Sequence, residues 1–143
     1  MIPNSRQAIL ICDAGVTNGE TVTGYVDTID YDYMTMDVVL GTSDTATNNP
    51  STLRLTEGDT TVVSNAATFG SFVGDTGFTI PNCVTSGTWG VKFNVDLRNR
   101  KRYIFLTVTP LTTQAVVGVA NLFKGGEAPD GTTQANVKAL VYG

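Results

Sequence analysis

Four of the nine basic residues in this 143-residue chain, Arg98, Arg100, Lys101 and Arg102, fall within five positions, with Asn99 between the first two. Guanidinium forks contact carboxylates in pairs, and several close together are costly without a counter-charge, so this turn is the strongest candidate for gripping a partner. A plainer reading stands beside it: a hairpin connection with Asn99 left-handed, the cations in water and Asp96 paired with one of them. The second group is acidic. Asp27, Asp30, Asp32 and Asp37 could supply a hydrolytic carboxylate pair, with Asp30 and Asp32 as candidates, or oxygen ligands for calcium. No loop glycine or terminal bidentate glutamate accompanies them, which makes a solvated face or protected strand edge the simpler reading.

Histidine is absent. Ser-His-Asp and Cys-His machinery and the common zinc sets are thereby excluded. We therefore expect no catalytic residue, metal or cofactor, and no enzyme. Cys12 and Cys83 lack Cys-x-x-Cys spacing and read as small buried hydrophobes, with a disulfide between them left open. Trp89 stands alone beside a strand start. It reads as a core or rim anchor, or alternatively, with nearby tyrosines, as the stacking platform of a receptor or carbohydrate-binding module. The glycines form no phosphate-cradling motif.

The elements that must hold these residues are strands. Met34, Met36, Val38 and Leu40 alternate with Tyr33, Thr35, Asp37 and Val39, a period of two. Val91, Phe93, Val95 and Leu97 do the same before the basic turn, and Ile104, Leu106 and Val108 after it. The second of these strands is apolar on both faces in part, so it belongs in the middle of a sheet. Further strands are expected at 7–12, 21–30, 52–56, 60–64, 115–123 and 137–142, the fourth entered through a turn at 57–59. Residues 65–90 read as a long irregular segment packed by Phe69, Phe72 and Phe78. The whole is an all-β chain with no substantial helix: a jelly-roll-like antiparallel β-sandwich of about eight or nine strands. One domain spans 8–143. Residues 1–7 form a candidate N-terminal arm, with Ile2, Pro3, Asn4 and Arg6 as candidate contacts.

Composition agrees. Charged residues make up only 15% of the chain while 23 threonines supply polarity, a bias suited to half-buried pleated surfaces. A net charge of −4 does not suit direct nucleic-acid binding, which needs basic residues spread over a face. No run reaches the length of a membrane span, and 8–12 is too short for a signal peptide's apolar region.

The segment Phe93-Asn94-Val95-Asp96-Leu97-Arg98-Asn99-Arg100-Lys101-Arg102-Tyr103, followed by Thr107-Val108-Thr109-Pro110, resembles small tailed-bacteriophage proteins encoded near the major capsid gene. In those relatives glycine is usual where Asn99 stands. Val38-Val39-Leu40-Gly41-Thr42-Ser43-Asp44 and Leu53-Arg54-Leu55-Thr56-Glu57-Gly58-Asp59 resemble the same family, in matching order. The resemblance implies a head decoration, or cement, protein of jelly-roll type. It also implies a homo-oligomer, often a trimer, made in the host cytoplasm and bound to the major capsid protein on the outside of the virion at capsomer junctions. The alternative is a tail, neck or receptor-binding sandwich of a phage.

Overall fold

The computed structural model describes residues 4–125 and 136–143. Nine strands occur among them: β1 (Ser5–Val16), β2 (Val22–Asp27), β3 (Tyr33–Leu40), β4 (Thr52–Gly58), β5 (Ala67–Val73), β6 (Trp89–Asp96), β7 (Tyr103–Thr109), β8 (Gln114–Phe123) and β9 (Val137–Tyr142). The first eight pair as nested hairpins, β4 with β5, β3 with β6, β2 with β7 and β1 with β8, all antiparallel. Rolling that long hairpin joins β3 to β8 and β4 to β7. The result is two sheets, β1-β8-β3-β6-β9 and β2-β7-β4-β5, with β9 added parallel to β6. This is jelly-roll winding, as the alternating runs led us to expect.

Period-two patterning fills the space between the sheets. Met34, Met36, Val38 and Leu40 of β3 face Leu53, Leu55, Ile104, Leu106 and Val108 of the opposite sheet in one continuous core. Phe93 sits at an aromatic junction, its ring centroid 5.9 Å from Phe72 and 5.4 Å from Phe78. β7 is central, between β2 and β4, and Tyr25 covers the outer faces of Tyr103 and Phe105. Threonines pair across strands on that outer face, Thr21 with Thr109 at 2.7 Å and Thr23 with Thr107 at 3.3 Å. β1 and β2 approach closely where the sheets meet, and a Cβ on Gly24 would collide with the Leu10 carbonyl.

Several expectations need correction. The strand expected at 60–64 is a turn and a short 3₁₀ segment, Val63–Asn65, and the strand lies instead at Ala67–Val73. Its pairing with β4 is interrupted between Arg54 and Thr56, so Phe69 and Phe72, three residues apart, both point inward. The arm does not run to Gln7, because Ser5, Arg6 and Gln7 pair with Phe123, Leu122 and Asn121 as the first residues of β1. Asn4 also contributes its carbonyl to the Lys124 N–H. Ile2 and Pro3 lie outside the described residues. Cys83 is buried, and its thiol donates to the Asn48 carbonyl at 3.1 Å, but Cys12 is exposed; both are free thiols. Burial pushes the Cys83 thiol pKa up. Cys12 escapes the core because it lies opposite Val117 on the outward face of β8.

Candidate interaction surface

The basic turn joins β6 to β7, with Asn99 left-handed at φ 70°. Its charges are largely matched within the molecule. Arg98 donates from Nε and Nη2 to the two oxygens of Asp96, at 2.9 and 2.7 Å, and its guanidinium lies 5.1 Å from the Tyr33 ring centre. Arg102 grips Asp27 in the same way, at 3.0 and 2.8 Å. Lys101 reaches Asp59 at 3.1 Å, and its N–H donates to Glu57. Register explains the convergence: Tyr103, the first residue after the turn, is opposed by Asp27 on one side and Gly58 on the other. Arg100 differs. No carboxylate among the described residues lies within ion-pair distance of it, and its guanidinium stacks on Phe69 with its carbon 4.5 Å from the ring centre. The expected positive field is therefore concentrated at one arginine.

The Arg102 fork holds the Asp27 carboxyl below its usual range, and the Arg98 fork does the same for Asp96. With folded pKa values depressed, the unfolded chain binds more protons. The pairs' contribution to stability is complete above about pH 3.9, the unfolded value, and is lost as pH falls through the lower folded values. Carboxyl ¹³C shifts should therefore titrate at Asp27 and Asp96 with midpoints below about 3.9. A midpoint at or above that value would contradict the bidentate geometry.

Three of the four aspartates have partners outside the group. Asp27 is held by Arg102, Asp37 by Lys92 at 3.0 Å, and Asp32 accepts from the Gly125 N–H, while Asp30 occupies a left-handed turn position. Among the described residues no group of three or more acidic, cysteine or histidine side chains could hold a metal, and no helix is long and apolar enough to cross a membrane.

Trp89 is only 1% exposed, so it cannot serve as a stacking platform or a rim aromatic. It is paired with Leu40 of β3, and both side chains lie in the core. A shallow depression of about 180 Å³ lies beside it, lined by Val39, Thr88, Gly90 and Val137 among others. Pockets that enclose drug-sized ligands run to roughly 300–1,000 Å³.

The outer face of the five-stranded sheet is the feature that sequence reasoning missed. Read across the strands, one row runs Cys12, Val117, Val39 and Gly90, and the next runs Ile9, Val119, Asp37 and Lys92. Ile9 is 67% exposed and Val39 38%. The signal was present in β8, where Val117 and Val119 break the polar alternation of a solvent face. Apolar side chains grouped on one flat face mark an interaction surface more often than scattered ones do.

No protein-family model matches the chain, and no curated protein matches it.

Proposed function

We propose that this protein is a structural subunit of a tailed-bacteriophage head, a decoration or cement protein that docks on the outer capsid surface at capsomer junctions and works by burying surface rather than by chemistry. The observation that carries this reading is the outer sheet face, where Ile9, Cys12, Val39, Val117 and Val119 share one face with the mutually paired Asp37 and Lys92. The resemblance of the 93–103 segment to phage head proteins supplies the partner, the major capsid protein, and the location, the virion exterior. A subunit that binds the assembled shell and not its separated capsomers stabilises the shell by mass action. If each copy contributes a contact of about 1,000 Å² or less, joining copies into a trimer raises the effective concentration and makes attachment durable.

Within the basic turn, the reading rests on Arg100 rather than on its neighbours. Arg98 and Arg102 are neutralised by Asp96 and Asp27, so reversing either would leave two carboxylates facing each other and disturb the fold. Arg100→Glu leaves those pairs intact. It is expected to weaken co-sedimentation with shells lacking the protein by about tenfold or more, because a charge-assisted hydrogen bond to the capsid gives way to repulsion, while the lost stacking on Phe69 costs only about 0.5–1 kcal/mol of stability. Unchanged co-sedimentation would remove the turn from the docking surface, and failure of the unaltered protein to co-sediment would overturn the function.

A further inference from the structure

The strand ends around the basic turn form a second surface, separate from the outer sheet face. Because β7 lies between β2 and β4, the loop after β2 flanks the turn on one side and the β4–β5 connection flanks it on the other. Both flanks are tied to it: the Thr28 N–H donates to the Arg102 carbonyl at 2.9 Å, and Lys101 reaches Asp59 at 3.1 Å. Each flank holds branched aliphatic side chains in water, Ile29 at 48% exposed on the first and Val62 and Val63 at 50% and 45% on the second. At the opposite end of the sandwich only Leu111 is comparable among the described large apolar residues. Scattered apolar side chains on a surface are ordinary, but a group gathered at one end marks a place that something covers.

The charges divide between the same two flanks. On the first, next to Ile29, the exposed Asp30 carboxylate has no hydrogen bond and no ion pair among the described residues; Arg102, the cation whose field reaches it, is held by Asp27. On the second, Arg100 leans toward β5 onto Phe69 and meets no carboxylate within ion-pair distance among the described residues. Between them Arg98, Lys101 and Arg102 are matched inside the molecule. The result is an aliphatic-and-acid flank and an aliphatic-and-base flank on either side of a neutralised centre. Opposite charges placed this way select a partner and fix its register. A surface that carries both halves of the match joins copy to copy, about a twofold axis or around a ring.

We propose that a second copy of this chain docks at this end, Ile29 and Asp30 of one copy against Val62, Val63 and Arg100 of the other, with the Asp30 carboxylate bonded to the Arg100 guanidinium across the contact. The contact needs no capsid, and only its place on the shell rests on the reading above: with the outer sheet face docked, the strand ends point along the shell toward a neighbouring copy. A paired carboxylate occupies one edge of a guanidinium, so N–H groups of Arg100 remain for the capsid.

Sedimentation velocity on the full chain, without shells, tests it. The mass should rise reversibly with concentration, with a Kd on the order of 10–100 μM, the strength of a small transient interface. Asp30→Asn, which suits the left-handed position, should weaken association by about tenfold, and Asp30→Lys or Arg100→Glu alone should abolish it. Joining those last two in one chain restores opposite charges and should restore association, an outcome that damage to the fold could not produce. Ile29→Ser with Val62→Ser should also weaken it by about tenfold, at side chains too exposed to move the Tm by much, which covers the case in which the lysine variant does not fold. A chain that stays monomeric well above that range, association indifferent to Asp30→Asn, or a folded double exchange that stays monomeric would each overturn the proposal. Because no shell is present, failure here leaves the capsid reading standing, and failure of co-sedimentation leaves this contact standing.

Discussion

Phe93→Ala should lower the unfolding free energy by about 3–5 kcal/mol, the range for truncating a fully buried phenylalanine. Phe93 is fully buried in β6 and touches Phe72 from the opposite sheet and Phe78 from the segment that crosses between the sheets. Removing it leaves a cavity that three elements would have to collapse together to fill, and strands pinned by registers on both sides of β6 cannot do so. The effect spreads to its neighbours: Phe72 also packs on Phe69 at 4.8 Å, and Phe69 carries the Arg100 guanidinium. The core change should therefore loosen the basic turn. Urea denaturation followed by tryptophan fluorescence would read both the loss of stability and its cooperativity, because Trp89 lies in the same core. A loss below about 1 kcal/mol would mean that the aromatic junction is not the centre of the fold.

The second large effect concerns attachment. Ile9→Asp combined with Val39→Asp places two carboxylates on the outer sheet face, at side chains already 67% and 38% exposed, so stability should change by no more than about 0.5 kcal/mol per site. If that face docks on the capsid, each aspartate must be desolvated against it. The central anchors of an interface commonly contribute about 2 kcal/mol or more, so attachment per copy should weaken by about 30-fold or more. In a multivalent assembly the loss multiplies over the copies. Binding isotherms on shells lacking the protein, with the Tm measured in parallel, separate docking from folding. An unchanged isotherm would place the docking surface elsewhere.

What the sequence made legible follows from where periodicity survives. β3, β6 and β7 were legible because their core-facing apolar side chains recur at every second residue along steady antiparallel registers, even though these central strands also bury several of the intervening positions. β5 was hidden because the interruption of its pairing places Phe69 and Phe72 three apart, a spacing that reads as irregular. The left-handed position of Asn99 and the local Asp96–Arg98 pair were both readable from the turn itself. The partners of Lys101 and Arg102 were not, since Asp59 and Asp27 arrive from positions 42 and 75 residues away along the chain and meet the turn only through the β7 register. The burial of Asn94 was likewise invisible: in the sequence it is one outward residue of an alternating strand, and it lies beside β9, which arrives from the end of the chain.

Electron cryo-microscopy of shells with and without bound protein tests the account most directly. Added density is expected at capsomer junctions, into which the jelly-roll fits with the outer face of β1, β8 and β3 against the capsid and Arg100 within reach of a capsid carboxylate or carbonyl. Density that leaves Ile9, Val39 and Arg100 facing open solvent, touching neither the shell nor a sister copy, would contradict it.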